Sequence, residues 1–210
     1  NLPKYGTWNL HASDLPKYRG ASPLNWSILN GEKKIGISII QVDKSLDGGD
    51  ILAKSYINLK KDENIRSLTL KVNRVYPKLL YSKINDLRQN KVKKIKQSLQ
   101  NSTFFSKRYP KDSFLKFAEM NAEDIKKIIL SSIKPYTGAF FYFNNKQFYV
   151  NENVNIKPNY FGVPGRVVKR IKSSIIVACK KGSIEINEIF YKNKKVEPSK
   201  VKIISGVDLN

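Results

Sequence analysis

The sequence predicts an α/β unit followed by a small β-barrel, and three observations carry that reading. A β-branched apolar run at Ile35–Val42 is followed by a long stretch with apolar residues at helical spacing. A basic, polar stretch at Lys91–Ser106 then interrupts the apolar pattern. Beyond it, five short strand-like runs follow one another with turn residues between them, the pattern of a small barrel.

In chain order, Thr7–His11 reads as a short strand entering a loop. Asp14-Leu15-Pro16, Arg19-Gly20 and Ser22-Pro23 supply its turn signals, and Pro16 stands where a cis bond would suit a tight turn. Leu24–Leu29 reads as a helix stopped near Asn30-Gly31. The continuous apolarity of Ile35–Val42 predicts a strand buried on both sides. Ser45–Asp50 is a polar, glycine-containing loop, and Ile51–Leu59 a further strand. Ile65, Leu68, Val72, Val75, Leu79 and Leu80 recur at three- and four-residue steps, so a long helix is expected there. Asp62-Glu63 sits at its positive end, and Pro77 predicts a kink or a division. Lys91–Ser106 reads as a linker, which puts residues 1–104 in one domain and 105–210 in another. In the second, Asn121 caps a helix carrying Ile125, Ile128, Ile129 and Ile133. Strands are expected at Ala139–Phe143, Gln147–Val150, Arg166–Ile171, Ser174–Cys179 and Ser183–Ile189.

With 40% hydrophobic residues the chain can build a packed core. No apolar run reaches the ~18 residues of a bilayer span, so no membrane partner is expected. The N-terminus carries no secretory pattern, and Cys179 is the only cysteine, which excludes an intramolecular disulfide and fits a reducing cytoplasm. The chain opens on Asn1 rather than Met, and it is expected to begin inside a longer protein. A net charge of +22, from 39 basic and 17 acidic residues, favours polyanions, although a Lys-, Asn- and Ile-rich composition is also that of an AT-rich genome.

His11 is the only histidine, and Asn9 lies two residues before it. On a strand those two side chains share a face. An amide donor beside an imidazole is what acyl transfer to an amine requires: a base for the amine proton and a donor for a developing oxyanion. A carboxylate that orients the imidazole would complete the set. Spacing alone leaves Asp43, Asp47 and Asp50 equivalent, and the Gly48-Gly49 pair lets the backbone around them turn sharply. Arg19 has a planar fork suited to phosphate or carboxylate, or to fixing the loop by an ion pair. Cys179 reads as a buried strand residue, and Trp8 and Trp26 as core.

The segment Asn9-Leu10-His11-Ala12-Ser13-Asp14-Leu15-Pro16-Lys17-Tyr18-Arg19-Gly20 resembles the signature loop of the folate-dependent formyltransferases, and Leu46-Asp47-Gly48-Gly49-Asp50-Ile51-Leu52 resembles their second motif. Pro135-Tyr136-Thr137-Gly138 and Val163-Pro164-Gly165-Arg166 are similar to that family's C-terminal domain. The resemblance implies the C-terminal half of a Rossmann-like catalytic domain followed by an OB-like barrel. It implies a cytoplasmic enzyme that uses 10-formyltetrahydrofolate as donor and no metal. The catalytic trio carries over to Asn9, His11 and Asp47, with Ser13, Arg19 and Trp26 on the acceptor side. Asp14 departs from the family, which usually has Leu there.

Two acceptors are compatible with that donor. Pro23-Leu24-Asn25-Trp26, Asp112-Ser113-Phe114-Leu115 and the tail Gly206–Asn210 resemble the formyltransferases acting on UDP-linked 4-amino-4-deoxyarabinose, which favours an amino-sugar nucleotide. The charge and the basic barrel favour initiator methionyl-tRNA. A reading of another class is a non-catalytic fragment that binds RNA or a protein partner.

Overall fold

A computed structural model describes residues 3–171 and 173–209. The chain divides into two compact units, Asn1–Arg108 and Tyr109–Asn210.

In the first unit, β1 (Trp8–His11), β3 (Lys34–Gln41) and β4 (Ile51–Asn58) form an antiparallel sheet with β3 in the middle. The central position explains the unbroken apolar run: every residue from Ile35 to Ile40 is buried, whereas β4, at an edge, alternates after Leu52. Ile37 and Ile39 are fully covered, worth roughly 2–3 kcal/mol each in transfer terms. Gly36 is required within this strand because a Cβ there would stand 2.4 Å from the Asp14 Cα. The loop after β1 therefore lies directly on β3. A short strand, β2 (Arg19–Gly20), and a helix, α1 (Pro23–Leu29), follow that loop, and the Leu15–Pro16 bond within it is cis.

Helix α2 (Ile65–Arg88) packs on β3, β4 and α1. Asn64, rather than Asp62 or Glu63, supplies its cap, accepting from the Ser67 amide. Glu63 turns inward instead. It takes hydrogen bonds from the Lys60 amide and the Ser67 hydroxyl and an ion pair from Lys71, which together hold its carboxyl below the usual range against the burial that opposes this. The helix continues through Pro77. Asn73 and Pro77 are both exposed, so water can take up the carbonyl that loses its partner. Only Ile65, Leu68 and Val72 of the expected apolar stripe are buried.

The stretch expected as a linker is instead laid along the first unit. Ile95 exchanges both backbone hydrogen bonds with Ile51, and β5 (Phe104–Phe105) pairs in parallel with β2. Isolated bridges and a two-residue strand carry no periodicity, so composition alone read the stretch as free chain.

The second unit begins with a 3₁₀ turn, Pro110–Ser113, and α2 is succeeded by α3 (Ala122–Ser132). Eight strands follow among the described residues: β6 (Ala139–Phe143), β7 (Lys146–Val150), β8 (Val154–Ile156), β9 (Val167–Ile171), β10 (Ser174–Ala178), β11 (Ser183–Ile186), β12 (Ile189–Tyr191) and β13 (Lys194–Val196). They form two antiparallel ladders, β8-β11-β10-β9 and β13-β12-β7-β6. The expected run Ser183–Ile189 thus breaks in two, with β11 in one ladder and β12 in the other. Helix α3 packs on β6, β8 and β11, and Phe117, Phe141 and Phe148 fill the core as adjoining rings.

Candidate active site

Strand β1 places Asn9 and His11 on one face, opposite Ile40 and Ser38 of β3. His11 is 6% exposed. Its Nε2 lies 2.8 Å from the Tyr18 carbonyl. A carbonyl can only accept, so Nε2 carries the hydrogen, and in the neutral ring Nδ1 holds the free lone pair. That Nδ1 faces Asp47 Oδ1 at 3.7 Å, beyond a direct hydrogen bond.

Asp47 is the meeting point. Its Oδ2 accepts from the Gly20 amide at 2.8 Å, and its Oδ1 accepts a long bond, 3.4 Å, from Asn9 Nδ2. Of the three carboxylates left equivalent by spacing, Asp47 is the one brought to Asn9 and His11. Asp43 is engaged with Ser45, whose hydroxyl and amide hold its carboxyl below the usual range. Asp47 adopts φ 48°, a left-handed conformation that costs a non-glycine residue on the order of 1 kcal/mol or more. Gly49 must follow it, since a Cβ there would meet the Gln41 carbonyl oxygen at 1.8 Å.

The half-buried side chain of Gln97 holds this loop. Its Nε2 donates to the Asp47 carbonyl at 2.9 Å and to the Gly49 carbonyl at 2.7 Å. Its Oε1 accepts from Arg19 Nε and Nη2 at 3.2 and 2.7 Å. Arg19 is 2% exposed, and its guanidinium lies 5.6 Å from the Phe104 ring. The side chain is therefore tied to the loop through the Gln97 amide. The Ser13 hydroxyl donates to the Lys17 carbonyl. Trp26 donates to the Ser106 carbonyl and packs on Phe105. Asp14 accepts from Lys54 and Tyr56 on β4.

Behind the loop, the ring of Tyr18 stacks on Phe105, with centroids 4.5 Å apart and planes within 6°. Its hydroxyl donates to Glu32 and accepts from Asn30. Burial, then the Glu32 bond, pushes the phenol up to about 12. Its amide is held by the Thr103 hydroxyl. These anchors aim the Tyr18 carbonyl at His11. Sequence reasoning missed Tyr18, Gln97 and the Gly20 amide. The first and last act through backbone, and Gln97 lay in a stretch without pattern.

Among the described residues, no three or more His, Cys, Asp or Glu side chains come together as a metal site, and no helix is long and apolar enough to cross a membrane.

Comparison with known proteins adds to this geometry. A family model described as formyl transferase matches residues 1–84, and one described as the formyl transferase C-terminal domain matches residues 107–203. The bifunctional polymyxin resistance protein ArnA of Wigglesworthia glossinidia brevipalpis is 35% identical over 88% of this chain and 28% of its own length. A methionyl-tRNA formyltransferase of Alkaliphilus oremlandii is 33% identical over 92% of this chain and 62% of its own. The chain thus spans less than two thirds of either relative. The crystal structure of an N-formyltransferase from Helicobacter canadensis, in complex with folinic acid and dTDP-3-aminofucose, has a TM-score of 0.69 at 19% identity. It covers 87% of this chain and 66% of that one, and at that identity it bears on the fold alone.

Proposed function

Because this chain belongs to the formyl transferase family, we propose that it transfers a formyl group from 10-formyltetrahydrofolate to the amino group of a nucleotide-linked amino sugar. The observation that carries the chemistry is the convergence of Asn9, His11 and Asp47 at β1. On the same reading the first unit is part of a Rossmann-like domain and the second an OB-like barrel.

The residues suit a folate donor, which when bound supplies an activated formyl carbon and a nitrogen that can leave. Among the described residues Asn9 Nδ2 donates one long bond, so it is available to an oxygen on which negative charge develops. The free lone pair on His11 Nδ1 takes the proton of the attacking amine. Asp47, across 3.7 Å, faces the positive charge that results, while the Tyr18 carbonyl keeps Nε2 protonated throughout. The imidazole can then return the proton to the departing nitrogen.

The sugar acceptor is supported by Pro23-Leu24-Asn25-Trp26, which resembles the formyltransferases acting on UDP-linked 4-amino-4-deoxyarabinose. Initiator methionyl-tRNA is favoured by the net charge of +22 and by the methionyl-tRNA formyltransferase relative. A salt series separates the two. Polyphosphate binding releases counterions and weakens by orders of magnitude between low and physiological salt, whereas an acceptor with two phosphates responds weakly. The measurement is kcat/KM for amino-sugar nucleotides and for charged initiator tRNA, with 10-formyltetrahydrofolate as donor. Wild type is compared with a variant neutralised at Lys169, Arg170, Lys180 and Lys181. Lys172, expected to contribute, lies outside the described residues. Turnover of an amino-sugar nucleotide, shallow in salt and indifferent to the variant, is expected. Efficient formylation of the tRNA, steep in salt and lost in the variant, would reverse the choice. Turnover of neither would leave the reading as a non-catalytic module that binds RNA or a protein partner.

A further inference from the structure

We propose that Gln97 is a positioning residue that sets the Asp47 carboxylate against His11. The two ends of its amide have distinct tasks. Arg19 can only donate, and it forks onto Oε1, so that atom is the oxygen. Both hydrogens of Nε2 are then directed to the carbonyls of Asp47 and Gly49, which bracket the turn. Asp47 sits there in a left-handed conformation, which persists only where its surroundings over-determine it. The Gly20 amide fixes one carboxylate oxygen from the front. Gln97 fixes the backbone from which that carboxylate projects, and the same amide ties the turn to Arg19 of β2. One side chain, some fifty residues from the turn, thus couples the stretch 91–106 to the residue that faces the imidazole.

A packing role and a positioning role predict different responses. Gln97→Glu keeps the length of the side chain and the acceptor for Arg19, but it removes both donors and turns an oxygen toward two carbonyls. If Gln97 only braced Arg19, this variant would restore function. If it positions Asp47, Gln97→Glu fails as Gln97→Ala does. The effect falls on kcat rather than on either KM, since substrate-contacting groups stay in place. A loss of about 10- to 100-fold is expected for a displacement of well under an ångström or up to one.

This kinetic half rests on the formyl-transfer reading, so the experiment includes a readout that does not. His11 is the only histidine of the chain, and selective labelling of histidine reports its ring alone. In Gln97→Ala and Gln97→Glu the ring Nδ1 and Nε2 resonances should move from their wild-type positions toward those of Asp47→Asn. Should Gln97→Ala fail to fold, Gln97→Met, of similar length and without either polar end, takes its place. Ring resonances unmoved in both variants overturn the proposal, as does wild-type kcat in Gln97→Glu. Ring resonances that move in a protein that formylates no acceptor support the positioning and sink the functional reading instead.

Discussion

Removing a single oxygen, by Tyr18→Phe, tests how the platform beneath His11 is held. The ring keeps its stack on Phe105, so the change is confined to the hydroxyl and its bonds to Glu32 and Asn30. A hydrogen bond to a charged acceptor contributes roughly 1.5–3 kcal/mol. Burial first, and then the Glu32 bond, pushes the phenol from 10.0 up to about 12, so ionising it costs more in the folded state than in the unfolded one. The folded value lies above the unfolded one, so this stabilisation is complete below pH 10 and fades as pH climbs through 12. At pH 11, between the two values, part of it is gone. Urea melts followed by tryptophan fluorescence report the first unit, which holds both tryptophans, Trp8 and Trp26. Tyr18→Phe should be about 1.5–3 kcal/mol less stable than wild type at pH 8, and the gap should narrow at pH 11. Lysine deprotonation weakens both proteins and cancels in the difference. A gap equal at the two pH values would refute the reasoning, and so would a variant as stable as wild type at pH 8.

Three further outcomes can be checked directly. His11→Ala and Asn9→Ala should each lower kcat by roughly 10²–10³, and Asp47→Asn should leave the fold intact while slowing turnover; steady-state kinetics and circular dichroism decide, and wild-type kcat would remove that residue from the site. Gly49→Ala should cost at least about 2 kcal/mol in urea melts, because the new Cβ would overlap the Gln41 carbonyl oxygen, which backbone pairing holds in place. Cys179, 4% exposed and with its thiol pushed up to about 12 by burial, should react with a thiol reagent at pH 8 roughly 10³-fold more slowly than an exposed cysteine until urea is added; rapid labelling of the native protein would contradict its burial.

What the sequence disclosed and what it hid follow one physical division. The buried run of β3, the start of α2 and the Asn9–His11 spacing depend on neighbours two to four residues apart, and such periodicities are written in the local order of residues. The carboxylate was not chosen that way. Asp43, Asp47 and Asp50 are separated by what lies across from them, the Gly20 amide and Asn9, at 27 and 38 residues' distance. Arg19 shows the same limit in reverse. Its chemistry suits an anion, and the partner that takes its Nε and Nη2 lies 78 residues away.

The stretch 91–106 is the strongest case, because nothing in its composition distinguishes a tether from a strap. Its contacts include an isolated bridge at Ile95, one amide at Gln97, a hydroxyl at Thr103, the Ser106 carbonyl, and the ladder positions and rings of Phe104 and Phe105. Each uses backbone, a single polar group or a single ring, and none needs a hydrophobic repeat. Yet these contacts reach both sides of the histidine: Gln97 through the Asp47 turn, and Thr103 and Phe105 through Tyr18. The two sides of the His11 ring, the carboxylate before Nδ1 and the carbonyl behind Nε2, are thereby both tied to one segment. A change in that segment is expected to alter turnover before it alters stability, since it carries few buried apolar side chains and several of the hydrogen bonds that aim the site.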